Sequence, residues 1–141
     1  MTPEQISLLQ ESFAELAPLR DAVAAAFYDQ LFAIDPALAP MFAETDRTVQ
    51  GRKLMAALAL VVGSADRPLA LVVPLQALAR RHVGYGVEES HYETVGEALI
   101  DTLATHFGPR FTPALRDAWL AAYTLVSSVM IDAARAVPKA A

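Results

Sequence analysis

Thr-Pro occurs twice in this chain, at Thr2-Pro3 and Thr112-Pro113, each time just before a long stretch with a helical apolar period. A threonine offers its hydroxyl to the unpaired N–H groups of a starting helix. Proline suits the first helical position because its missing N–H would have had no partner there. Thr2-Pro3-Glu4-Gln5 adds a glutamine three residues after the threonine, which completes a capping box. Leu8, Leu9, Phe13 and Leu16 then supply one apolar face until Pro18. Such punctuation commits both ends of the chain to helices.

The segments between read the same way. Asp21 to Ala33 is a second helix, rich in alanine. Asp35-Pro36 opens a short helical turn, and Pro40-Met41-Phe42 leads into an irregular connection. A long helix is expected from about Thr48 to Val62, with Gly63 ending it. Another follows Asp66 and Pro68 and runs to His82, where Gly84 and Gly86 stop it. Ser90 with Glu93 reads as a second capping box, placing His91 first in a helix that runs to about His106 and ends at Gly108-Pro109. The last helix extends from Thr112-Pro113 to about Arg135. Period-2 alternation, Asn-Gly hairpin signals, internal repeats and low-complexity segments are missing. The expectation is an all-α fold of six to eight helices.

At 141 residues the chain suits one domain, 1–141, around a single core. Its most apolar stretch, Ala118 to Ile131, is 14 residues long and interrupted by Thr124, Ser127 and Ser128, which fits a buried helix and no membrane span. The start, MTPEQ, has no basic segment leading into an apolar one, so a cytoplasmic location is expected. A net charge of −5 with mixed signs argues against a nucleic-acid partner. The absence of cysteine excludes disulfides, zinc–thiolate sites, iron–sulfur clusters and thioether-attached pigments.

The stretch that bears on function is LARRHVGYGVEESHY, residues 78–92, which holds two of the three histidines. His91 at a helix start reads as a partly exposed polar residue, and His106 at a helix end as a cation favoured by the helix dipole. His82 lies on an apolar stripe with Leu75 and Leu78, in the last turn of its helix. It is either a satisfied core histidine or a metal ligand. A bare zinc or iron site needs three or more side chains, and no H-x-x-x-H, E-x-x-H or cysteine pair supplies them. Haem needs only one, since the porphyrin contributes four nitrogens. Two polar tips could face such a pocket from the other side. Gln50 aligns with Leu54, Ala57, Leu58 and Val61, and Tyr28 with Ala24, Leu31 and Phe32. Each has a plainer reading, as a helix-end amide reaching water or a core aromatic satisfied locally.

These residues resemble the globin family across nearly the whole chain, above all single-domain bacterial globins and the haem domain of flavohaemoglobins, with a similarity to neuroglobin in the Arg-Arg-His segment. FYDQLFAIDPALAPMF (27–42), VQGRKLM (49–55), LARRHVGYGVEESHYETVG (78–96) and DAWLAAY (117–123) carry the resemblance. It implies a globin fold around haem b (iron protoporphyrin IX), with His82 as the axial iron ligand. It also implies that Phe42 stacks on the haem and that Tyr28, Gln50 and Leu54 form the distal side. Lys53 would sit at the haem edge near a propionate, Leu78, Val87, Val95 and Tyr123 would line the pocket, and Tyr92 would lie behind the proximal ligand. The implied function is reversible binding of dioxygen at ferrous iron, with carbon monoxide and nitric oxide as further ligands. Nitric oxide dioxygenation, and so an enzymatic role, would depend on a separate reductase. One position departs from the flavohaemoglobin pattern: Ala134 stands where a proximal glutamate is found, and Asp132 is two residues away. A rival reading is a haem-free globin-like sensor or interaction module, which would not need a proximal histidine and a distal pair.

Overall fold

The structure, a computed structural model, describes residues 1–137. They form six α-helices: α1 (Pro3–Leu16), α2 (Arg20–Ile34), α3 (Arg47–Gly63), α4 (Val72–Gly84), α5 (Glu89–Phe107) and α6 (Pro113–Arg135). Four 3-10 turns join them, at Ala17–Leu19, Pro36–Phe42, Pro68–Leu71 and Gly108–Arg110. No strand occurs among the described residues, and none of the described helices is long and apolar enough to cross a membrane.

The caps explain most boundaries. Thr2 and Gln5 exchange hydrogen bonds of 3.0 and 3.1 Å, so the capping box is real. The Thr112 hydroxyl accepts from Leu115 N at 3.2 Å, and the Asp46 carboxylate accepts from Val49 N at 2.9 Å, starting α3 one residue earlier than its sequence suggests. The start of α5 differs from expectation. Its N-cap is Glu88 instead of Ser90, and His91 Nδ1 accepts the Glu88 N–H at 2.9 Å. The imidazole thus closes the box from the third helical position, a role usually filled by Glu or Gln. Gly63 also differs: it is the last helical residue and needs no left-handed backbone, which among the described residues only Gly86 (φ 86°) and Gly108 (φ 57°) adopt.

Two close approaches set how the helices stack. A Cβ on Gly51 of α3 would lie 2.9 Å from the Ala24 Cβ of α2, so the absence of a side chain lets these helices cross in near contact. A Cβ on Gly96 of α5 would lie 2.7 Å from Tyr123 Cε2 of α6. A buried polar chain ties α6 to α1: Trp119 Nε1 donates to Ser12 Oγ at 3.0 Å, and that hydroxyl donates to Leu9 O at 3.1 Å.

The apolar interior is in two pieces. The larger joins α1, α2, most of the inner face of α3, α5 and the first half of α6, through residues such as Leu9, Phe27, Leu31, Met55, Leu103 and Trp119. The smaller lies between α4 and the second half of α6, around Leu71, Leu75, Ala79, Tyr92 and Met130. This follows from the packing: α3 lies on α1 and α2, whereas its chain neighbour α4 lies on α6.

Candidate functional site

The candidate residues divide between the two apolar pieces. Tyr28 is 4 % exposed, on the face of α2 that carries Phe27 and Phe32. Its ring meets Phe27 edge-on at 5.0 Å and lies 5.5 Å from Phe42, which also lies 5.5 Å from Phe32. Phe42 reaches this cluster because the 3-10 turn after Asp35 brings it back beneath α2. Burial pushes the Tyr28 hydroxyl above its ordinary pKa, and the Gln50 amide and the Arg47 guanidinium draw it part-way back. The hydroxyl therefore stays protonated and can donate. Leu54 and Val95 are half-buried and pack on the same piece, as does Tyr123. Lys53 is exposed.

His82 belongs to the other group. It is half-buried in the last turn of α4, and its Nδ1 lies 2.9 Å from the Leu78 carbonyl oxygen. A carbonyl can only accept, so Nδ1 carries the proton and Nε2 keeps its lone pair. Burial pushes the imidazole pKa down, the Leu78 hydrogen bond raises it, and the nearby Arg81 cation lowers it again, for a net decrease. The ring is thus neutral at neutral pH, with its tautomer set by the backbone. That is the state in which a histidine binds a metal. Val87 N donates to His82 O at 3.0 Å, folding the turn after α4 back against its last turn. Leu78 and Val87 pack on the smaller apolar piece.

Tyr92 and Tyr123 link α5 to α6, for the Tyr123 hydroxyl donates to the Tyr92 carbonyl. The Tyr92 hydroxyl is buried, and among the described residues it has no hydrogen-bond partner. Ala134 has no side-chain acceptor to offer, and Asp132 is exposed. Both tyrosines also line a surface hollow of about 400 Å³ between α5 and α6. His91 is committed to its cap, and His106 packs edge-on against Phe107 at 4.9 Å.

The structure thus brings Tyr28, Phe42 and Gln50 together, and separately His82, Leu78 and Val87. Among the described residues no three histidine, aspartate or glutamate side chains gather as a bare-metal site. Sequence reading missed Arg47, whose guanidinium lies over the Tyr28 and Phe32 rings and pairs with Asp29 at 3.2 Å. Its signal was faint: one arginine at the start of a helix, and one aspartate beside Tyr28.

The family model described as Globin matches residues 25–130. The flavohemoprotein of Vibrio cholerae is 28% identical over 134 residues, which cover 94% of this chain and 34% of the relative. That of Deinococcus radiodurans is 30% identical over 133 residues, 93% of this chain and 33% of the relative. The chain thus spans about a third of these curated relatives. A bacterial globin from Campylobacter jejuni superposes with a TM-score of 0.85 at 25% identity, over 95% of this chain and 96% of that one. An engineered carbene transferase from Rhodothermus marinus, made from a candidate nitric oxide dioxygenase, gives 0.84 at 27%, over 96% and 94%. With six helices in the globin arrangement and a globin model matched over most of its length, the chain belongs to the globin family.

Proposed function

We propose that this chain is a single globin domain, 1–141, that holds haem b through His82 and binds dioxygen and other small diatomic gases. The observation that carries the reading is the placement of His82, its Nδ1 held by Leu78 O at 2.9 Å so that Nε2 keeps its lone pair. The surroundings fit a flat apolar group that brings most of its own metal ligands. Half-buried Phe42, Leu54 and Val95 belong to one apolar piece, and Leu78 and Val87 to the other. Bound haem would supply an iron able to take up a diatomic gas.

The chain's own residues do the rest. His82 would hold the iron through Nε2, and the Leu78 carbonyl keeps the ring in the tautomer that allows it. The Tyr28 hydroxyl, kept protonated by burial, donates to the negatively polarised end of a ligand, and Gln50 beside it offers a second donor. The apolar walls exclude water and so strengthen these bonds. Ala134 stands where the flavohaemoglobin pattern has a glutamate, and among the described residues the buried Tyr92 hydroxyl meets no carboxylate. This supports oxygen binding over chemistry that requires strong electron donation from the histidine. Dioxygenation of nitric oxide is the further reaction this pocket can support, with electrons from a separate reductase.

The test is the visible absorption spectrum of the purified protein, oxidised, reduced and with carbon monoxide. A normal reduced–carbon monoxide spectrum is expected, and His82→Ala should abolish it or leave mostly apoprotein. His91→Ala and His106→Ala should not. Failure of the wild-type chain to take up haem would leave the rival reading, a haem-free interaction module.

A further inference from the structure

Arg47 is the first residue of α3, yet its side chain reaches back over α2. Its guanidinium carbon lies 5.6 Å from the Tyr28 ring centroid and 5.3 Å from that of Phe32. Its Nη2 pairs with Asp29 Oδ1 at 3.2 Å. Asp29 adjoins Tyr28 in sequence, so the carboxylate anchors the cation directly beside the ring it covers. Below this clamp Gly51 of α3 meets Ala24 of α2 in near contact, which fixes the spacing of the two helices. Phe42 closes the cluster from the side, 5.5 Å from both Tyr28 and Phe32. A surface arginine usually has one partner of little energetic weight. This one has three, and all of them lie on α2.

We propose that Arg47 is a positioning and specificity-determining residue for the distal tyrosine. Held by Asp29 above the rings of Tyr28 and Phe32, it makes the Tyr28 hydroxyl a stronger and better-aimed donor, so the pocket favours negatively polarised dioxygen over carbon monoxide. The inference rests on the proposed gas-binding function. A cation over an aromatic face attracts its π electrons. In tyrosine that polarisation extends to the oxygen and strengthens its O–H as a donor. The influence of Arg47 on the Tyr28 hydroxyl runs in this direction, opposing the effect of burial. The ion pair also restricts the ring, because tilting Tyr28 would carry it out from beneath a cation that Asp29 holds in place.

The experiment compares wild type, Arg47→Gln, Arg47→Lys and the same Arg47→Gln change in a Tyr28→Phe background. Each is measured with haem loaded, by stopped-flow release of dioxygen and by the infrared C–O stretch of the carbon monoxide complex. Loss of the cation should speed dioxygen release about two- to fivefold, the range a cation–π contact of this exposure implies. The C–O stretch should move to higher frequency, as less positive potential faces the ligand, while carbon monoxide release changes little. Lysine should restore most of both. In the Tyr28→Phe background Arg47→Gln should do nothing. The proposal is overturned if Arg47→Gln leaves release and stretch unchanged, if lysine restores neither, or if the acceleration persists without the tyrosine hydroxyl. If the wild-type chain forms no carbon monoxide complex, the gas-binding reading itself has failed. A complex that forms and responds to Tyr28→Phe but not to Arg47→Gln rejects the clamp alone.

Discussion

Tyr28 and His82 do opposite electrostatic work at the scale of single side chains. Burial holds the first protonated, so that it can donate, and the second neutral, so that it can accept a metal. A hydrogen bond to a charged or strongly polarised acceptor contributes roughly 1.5–3 kcal/mol. Tyr28→Phe should therefore speed dioxygen release about ten- to a hundredfold or more, with much less effect on carbon monoxide. An unchanged oxygen rate would transfer the role to Gln50. His82 makes a pH prediction with a definite sign. Its folded pKa lies below the ordinary 6.5, so as pH falls through 6.5 the unfolded chain takes up a proton before the folded chain does. The stability tied to this group is complete above that pH and declines below it, until the lower folded value is passed. Thermal midpoints of the haem-free chain followed from about pH 8 to about pH 5 should fall in that window. The midpoint loss should be weaker in His82→Ala; an equal loss would place the acid sensitivity elsewhere.

Helix ends and helix crossings decide matters at the scale of elements. His91 caps α5 by accepting the Glu88 N–H, so His91→Ala should cost about 0.5–2 kcal/mol of stability and leave the carbon monoxide spectrum intact. Denaturant unfolding together with the spectrum checks both halves. The glycines separate by what a methyl group would meet. Gly96→Ala would press on the Tyr123 ring at 2.7 Å, and that ring is tethered through its hydroxyl to the Tyr92 carbonyl. A loss of about 1–3 kcal/mol is expected, the usual range for overpacking. Gly63→Ala meets open space at the end of α3 and should be neutral or stabilise by up to about 1 kcal/mol. Equal unfolding midpoints for the two variants would contradict the tight α5–α6 approach.

The split interior is the main feature of the whole molecule. Half-buried apolar side chains belong to both pieces, so a group that joins them should stabilise the fold. A ligand bound only by the folded state, present at about a hundred times its dissociation constant, adds about 2.7 kcal/mol. Haem loading should raise the thermal midpoint of the protein by several degrees and lower the binding of a dye that senses exposed apolar surface. No change in either would mean that haem does not bridge the two pieces. Nitric oxide consumption tests the proposed chemistry at the same scale. The oxygenated chain should consume it rapidly in one turnover, while sustained consumption should require an added reductase. No G-x-G-x-x-G lies in these 141 residues to bind a nicotinamide cofactor. Steady turnover by the purified chain with that cofactor alone would sink the reading.

Helix content and number were legible in the sequence because they rest on local rules. Thr2-Pro3, Asp35-Pro36 and Thr112-Pro113 satisfy their own helix starts whatever packs above them. The apolar stripe through Leu75, Leu78 and His82 depends only on the helical period. Where a cap uses an unusual residue, locality fails. Ser90 and Glu93 match the common pattern, but Glu88 and His91 form the cap, because the backbone is extended at Glu88 and already helical at Ser90. Only the tertiary structure could separate the two apolar pieces, since α3 and α4 adjoin in sequence yet pack on different partners. It alone could also place Arg47 over Tyr28, because a contact between residues nineteen apart depends on how closely α2 and α3 cross, and Gly51 against Ala24 sets that distance.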